Sequence, residues 1–82
     1  MTRREIFDTL KDIIGSALER TDNMKDVSER SDLRTDVGLN SVGLLYIVIS
    51  IEERLHVSFD DVSFNDFQIV SDVIDYIERH QG

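Results

Sequence analysis

One stretch of the chain decides the fold, residues 38–45, which read GLNSVGLL. A polar loop ends here and a long apolar segment begins, with Ser41 at the junction. The apolar run continues for several residues and turns acidic at Glu52 and Glu53. This pattern predicts a helix over residues 41–56 that presents Ser41 in its first turn.

A buried strand is the alternative for this segment, because the β-branched residues Ile47, Val48 and Ile49 favour extended structure. The run nevertheless continues without a break into the acidic residues, and the chain has no second strand-like segment to pair with it. We therefore predict a helix.

A helical projection at 100° per residue divides the apolar side chains of this helix between two faces. The face expected to lie against the core holds Leu44, Ile47, Val48, Ile51 and Leu55. The other face holds Val42, Leu45, Tyr46 and Ile49, with Glu52 and Glu53 further along. A second apolar face needs a burial partner, which oligomerisation or docking to another protein would provide.

Two further helices are predicted at the ends of the chain. Thr2 and Glu5 have the spacing of a capping box, so the first helix should begin at Arg3 and end near residues 18–20. A helical repeat near the other end predicts a terminal helix ending near His80, whose buried face is formed by Val70, Val73, Ile74 and Ile77.

The segments between these helices are polar and carry only scattered apolar residues. We expect the first, residues 19–39, to be anchored by Met24, Val27, Leu33, Val37 and Leu39. Gly38 supplies a permissive backbone just before the serine. The second, residues 56–68, should hold a short helical turn capped by Asp60 or Asp61. The prediction is one all-α domain over residues 1–82, a four-helix bundle with a short third helix.

Composition excludes several functional classes. The chain has 82 residues, no cysteine and a formal net charge of −8, which rules out disulfides and cysteine nucleophiles. It also argues against nucleic acid and for partners with basic surfaces. No apolar run suits a signal peptide or a membrane span, so we expect a cytoplasmic protein without membrane insertion.

Ser41 is the candidate functional residue. A hydroxyl in the first turn of a helix lies where free N–H groups and the helix dipole favour an anion, although capping is the commoner role for serine there. The residues alone favour the capping role. The histidines, His56 and His80, are remote from Ser41 along the chain, so we expect no hydrolase activity and no metal site.

Residues 36–42, DVGLNSV, followed by the apolar helix and two glutamates, resemble the attachment region of acyl carrier proteins. Residues 67–77, FQIVSDVIDYI, resemble the last-helix segment of the same family. The resemblance implies that Ser41 carries 4′-phosphopantetheine, which a phosphopantetheinyl transferase takes from coenzyme A. The chain would then hold acyl groups as thioesters for fatty acid, polyketide or related biosynthesis.

The resemblance also implies a docking surface for acyl-loading, condensing or acyl-transfer enzymes with basic surfaces. Its matching positions are Val42, Leu45, Tyr46, Ile49, Glu52 and Glu53. Gly43 and Tyr46 stand where the family commonly has acidic residues, which indicates a specialised rather than a housekeeping pathway. The alternative is an unmodified carrier-like domain that only binds partners or dimerises.

Two positions near helix starts depart from the family pattern. Asn40 stands where the family usually has an aspartate that the transferase reads, so recognition by a standard transferase should be weaker. Ile69 stands where the family usually has threonine, and we expect Ser71 or Gln68 to replace the missing capping group.

Overall fold

The computed structural model describes residues 1–19, 25–59 and 66–80. Three helices lie in these parts: α1 at Arg3–Ala17, α2 at Ser41–Leu55 and α3 at Val70–His80. The same parts contain no strand, only one isolated bridge between Asp32 and Ile69. The all-α class is confirmed. The short third helix was expected within residues 56–68; residues 60–65 of that range, with both candidate capping aspartates, lie outside the described residues, so the four-helix count stays a prediction.

Helix α1 begins where its capping box predicts. The Thr2 hydroxyl accepts a hydrogen bond from the Glu5 backbone N–H at 3.2 Å, and the Glu5 carboxylate accepts one from the Thr2 backbone N–H at 2.8 Å. The helix ends at Ala17 with Leu18 as its C-cap, close to the predicted end. Its buried residues are Ile6, Leu10, Ile13 and Ile14.

Helix α2 confirms the helical prediction over the strand alternative. It begins at Ser41 and ends at Leu55, and His56 closes it in the left-handed conformation with φ of 57°. The predicted core face is buried at Leu44, Ile47, Val48 and Ile51, while Leu55 is partly buried. One face of α2 therefore lies in the core that it shares with α1 and α3.

Helix α3 buries its predicted residues and one more. Tyr76 is also buried. Its ring stacks on the rings of Phe59 and His80, with centroid distances of 4.5 Å and 3.9 Å. Its hydroxyl donates to the Ser58 carbonyl at 2.7 Å. The aromatic packing ties the chain that follows α2 to the last helix.

The start of α3 is capped in a way that the sequence analysis missed. The Asp72 carboxylate accepts from the backbone N–H groups of Gln68 at 2.9 Å and Ile69 at 3.1 Å. The expectation that Ser71 or Gln68 would supply the capping group was therefore wrong. An acidic side chain inside the first turn reaches back to the N–H groups before it, as in half of a capping box.

The connection before α2 is held against the start of α3. The Leu33 N–H donates to the Gln68 carbonyl at 2.9 Å, and the Val70 N–H donates to the Ser31 carbonyl at 3.0 Å. Four of the predicted anchors are buried, and the fifth, Met24, lies outside the described residues; the buried ones are Val27, Leu33, Val37 and Leu39. Residues 25–39 of the connection are thus held by backbone pairing and by apolar contacts.

Arg3 joins three parts of the chain through its guanidinium group. Nε lies 2.7 Å from the Glu29 carboxylate in the connection, and Nη1 lies 2.6 Å from Asp75 and 2.5 Å from Glu78 on α3. These hydrogen bonds, with that of Asp75 first, raise the pKa of Arg3 above its ordinary value. The ion pairs hold the start of α1 to the connection and to α3.

Two carboxylates that accept backbone hydrogen bonds make the stability of the fold depend on pH. The N–H groups of Thr35 and then Arg34 lower the pKa of Asp32, and the Thr2 backbone N–H lowers the pKa of Glu5. Both groups stabilise the folded state above their ordinary pKa values of 3.8 and 4.5. That contribution is lost as the pH falls through the lowered folded pKa values. We expect the free energy of unfolding to decrease below about pH 4.

Urea unfolding of the native chain and of Asp32→Asn between about pH 2 and pH 7 measures this effect. Asparagine keeps an acceptor oxygen but does not titrate in this range, so Asp32→Asn should show a shallower loss of stability in acid. Glu53→Gln removes an exposed carboxylate from α2 and serves as the control. An acid slope that is the same in all three proteins would contradict the assignment to Asp32.

Candidate functional site

Ser41 is the first residue of α2, and Asn40 is its N-cap. The Asn40 Oδ1 accepts a hydrogen bond from the Gly43 N–H at 2.8 Å, so the capping role belongs to Asn40 and not to Ser41. The Ser41 side chain is exposed, and within the described residues its hydroxyl makes no hydrogen bond. The hydroxyl is thus available to a modifying enzyme.

The first turn of α2 presents a positive electrostatic environment. The N–H groups at the start of a helix have no partner inside it, and here the Gly43 N–H is taken by the cap while the N–H of Leu44 bonds the Asn40 carbonyl at 2.9 Å. No acidic side chain lies in this turn. The positive end of the helix dipole is therefore not offset there, which favours a negatively charged group at Ser41.

The backbone before Ser41 is fixed by a sharp turn. Gly38 has φ of 90°, in the region that glycine tolerates and other residues rarely adopt. The next residue, Leu39, is buried and donates its N–H to the Leu33 carbonyl at 2.9 Å. These two residues end the connection and place Asn40 at the N-terminus of α2.

The outer face of α2 exposes large apolar side chains next to Ser41, as the sequence predicts. We call this set the docking face; its members and their exposed fractions are Val42 at 76%, Leu45 at 46%, Tyr46 at 51% and Ile49 at 46%. Ser41 precedes this face directly on the same helix. A serine and an apolar surface therefore form one continuous feature.

The two glutamates at the end of α2 have different environments. Glu53 is exposed. Glu52 is partly buried, and its Oε2 accepts a hydrogen bond from the Phe59 N–H at 3.0 Å. Glu52 thus holds the chain that follows α2. No spacing pattern predicts this role, because the two residues are seven positions apart and Phe59 lies in an irregular segment.

Neither histidine of the chain, both of which lie among the described residues, is placed to act as a general base for Ser41. His56 lies at the opposite end of α2, about 22 Å away by helix rise, and His80 stacks on Tyr76 with its Nδ1 2.9 Å from the Tyr76 carbonyl. Within residues 1–19, 25–59 and 66–80, no group of acidic or histidine side chains is arranged to hold a metal ion. Those residues also include no helix with the length and apolar character needed to cross a membrane.

Comparison with known proteins defines the class to which this site belongs. The family model described as the phosphopantetheine attachment site matches residues 8–77. The acyl carrier protein of Thermotoga maritima is 32% identical over 99% of this chain and 98% of its own length. That of Clostridium perfringens is 31% identical over 92% and 96%, and that of Lactobacillus acidophilus is 26% identical over the whole of both chains. The chain belongs to the acyl carrier protein family.

The cofactor of this family is 4′-phosphopantetheine, and the geometry at the start of α2 suits it. A phosphodiester needs an accessible hydroxyl and an environment that accepts negative charge. Ser41 has the first, and the uncapped N–H groups with no nearby carboxylate in the turn supply the second. When bound, the cofactor supplies a thiol that forms a thioester.

Replacement of Gly38 tests how far the turn before Ser41 contributes to the fold. A Cβ at this position would meet no atom within 4 Å, so the cost of Gly38→Ala comes from the positive φ alone. We expect a loss of about 1 kcal/mol in the free energy of unfolding. Urea unfolding measures it.

Gly38→Asn is the matched control for this variant, because asparagine tolerates positive φ better than alanine does. The asparagine variant should therefore lose less stability. An alanine variant as stable as the native chain would show that the turn relaxes without cost.

Proposed function

We propose that Ser41 is the attachment site of 4′-phosphopantetheine and that the chain holds acyl groups as thioesters on this arm. The observation that carries the proposal is the exposed hydroxyl of Ser41, which has no hydrogen-bond partner among the described residues, beside a neighbour, Asn40, that caps the helix. A flexible arm keeps its acyl group at high effective concentration near the active sites of bound enzymes. The chain itself positions the arm.

The protein acts as a substrate and carrier and not as a catalyst in this proposal. Ser41 has no histidine within reach, so activation of its hydroxyl falls to the phosphopantetheinyl transferase, with coenzyme A as the donor. A cytoplasmic location, where coenzyme A and acyl-processing enzymes meet the chain, belongs to the same proposal.

The docking face, together with Glu53 and the remaining oxygen of Glu52, is the proposed contact surface for partner enzymes. Its exposed apolar side chains suit an apolar cleft, and the glutamates suit a basic rim around it. The start of the helix adds no carboxylate to this surface. Apolar contact therefore outweighs charge in the docking of this chain.

This balance supports a specialised pathway of fatty acid, polyketide or related biosynthesis. At Gly43 and Tyr46 the chain lacks the acidic residues that are common in the family, and Tyr46 adds a half-exposed aromatic ring instead. Enzymes that recognise carriers through charge would bind this surface weakly. Dedicated partners with apolar clefts would bind it well.

The attachment site is tested by incubating the chain with coenzyme A and a broad-specificity phosphopantetheinyl transferase and then measuring its intact mass. We expect the native chain to gain the mass of one phosphopantetheinyl group. Ser41→Ala should gain none, because it lacks the nucleophilic oxygen.

Ser16→Ala is the matched control, since Ser16 is an exposed helical serine on α1. It should be modified like the native chain. A mass gain that survives in Ser41→Ala would move the attachment to another residue. No gain with several transferases would favour the second candidate, an unmodified domain that uses the docking face for binding or dimerisation.

The pathway proposal is tested with the modified chain and the acyl-loading enzyme of housekeeping fatty acid synthesis. We expect slow loading of the native chain and faster loading of Tyr46→Glu, which restores a carboxylate at an exposed position without steric conflict. Ser58→Glu adds the same charge beyond the end of α2 and should not increase the rate. Efficient loading of the native chain would refute the specialised assignment.

A further inference from the structure

The cap of α2 leaves a hydrogen-bond donor beside Ser41. The Asn40 Oδ1 accepts the Gly43 N–H at 2.8 Å, which directs the amide oxygen toward the helix. The other amide atom, Nδ2, carries two hydrogens, and no described residue accepts either of them. Asn40 is exposed, so the residue immediately before the proposed attachment serine has a solvent-accessible donor group without a partner in the described chain.

Gly43 keeps this arrangement open. A Cβ at position 43 would lie 3.2 Å from the Leu39 Cδ2 and 3.5 Å from the Asn40 Oδ1. The first distance is a tight approach to the buried anchor Leu39, and the second is an ordinary van der Waals contact with the capping amide. Glycine at position 43 thus avoids the close approach to Leu39 and covers the cap with no side chain.

The charge at this end of α2 is also unusual for a chain with a formal net charge of −8. Neither Asn40 nor any residue of the first turn is acidic. An aspartate in place of Asn40 would cap the helix equally well, but it would bring a negative charge next to a phosphodiester and would offer no donor. Capping therefore does not distinguish the two residues, whereas the charge and the donor beside an attached phosphodiester do.

We propose that Asn40 is a positioning residue for the phosphodiester on Ser41, to which its Nδ2 donates a hydrogen bond. The inference rests on the proposed attachment at Ser41. The amide and the free N–H groups of the first turn together hold the base of the arm at the helix end. Modification consequently stabilises this chain, and the stabilisation depends on the amide at position 40.

The experiment compares unfolding midpoints of the modified and unmodified forms of the native chain, Asn40→Asp and Ser58→Asp at low ionic strength. The native chain should gain thermal stability on modification, and Asn40→Asp should gain about 2–4 °C less. Ser58→Asp adds the same charge at an exposed residue beyond the far end of α2, and its gain should equal that of the native chain. The difference in thermal gain between the native chain and Asn40→Asp should become smaller at about 1 M salt, where charge repulsion is screened.

A second readout follows the Asn40 side-chain amide by NMR. Its proton resonances should move downfield when Ser41 is modified, as expected for a new hydrogen bond to an anionic oxygen. The inference would be overturned by equal thermal gains in the native chain and Asn40→Asp, or by an Asn40 amide resonance that does not move on modification. In either case the gain in mass would still support the attachment site. A chain that no transferase modifies would overturn the attachment site and the inference together.

Discussion

The position of Ser41 depends on two backbone hydrogen bonds between the first connection and the start of α3. Leu33 donates to Gln68, and Val70 donates to Ser31. The carbonyl of Leu33 then accepts from Leu39, two residues before the serine. A polar connection of this length would otherwise be free to move, because its few apolar residues cannot define a path alone. Pairing with the last helix turns it into a fixed support for the start of α2.

Helix α2 meets two requirements that conflict in a small domain. Its inner face completes a core to which every described helix contributes, and its outer face leaves four large apolar side chains at the surface. Full burial of one such side chain contributes about 1.5–3 kcal/mol, which is a substantial part of the roughly 5–15 kcal/mol that stabilises a folded protein. An apolar face kept at the surface at this cost is explained by contact with other proteins.

The parts of the fold that the sequence predicts correctly are those decided within one or two helical turns. The capping box of Thr2 and Glu5, the boundaries of α2 and the buried stripe of α3 all follow from spacing along the chain. Position 41 was located in the same way, from the change between polar loop and apolar helix. The docking face also followed from the helical projection, which places its four apolar side chains on the side of α2 away from the core.

The features that sequence reasoning missed depend on contacts between segments. Tyr76 is buried because Phe59 and the Ser58 carbonyl come to it from the chain after α2. Glu52 accepts the Phe59 N–H from seven residues further along, in an irregular segment, and no helical spacing rule anticipates that partner. Asp72 is the exception, because it accepts the N–H of Ile69 at the spacing of half a capping box, a local signal that the sequence analysis did not use.

The structural contacts made by carboxylates elsewhere in the chain also explain how an acidic protein keeps one site free of negative charge. Arg3 binds the carboxylates of Glu29, Asp75 and Glu78, and other carboxylates accept backbone N–H groups at turns and helix starts. Much of the described acidity is therefore used in structural contacts. The first turn of α2 takes its cap from a neutral amide instead. A carboxylate there would stabilise the helix to the same degree. The neutral cap therefore leaves the free N–H groups and the dipole of α2 without a neighbouring negative charge, which favours an anionic group on Ser41.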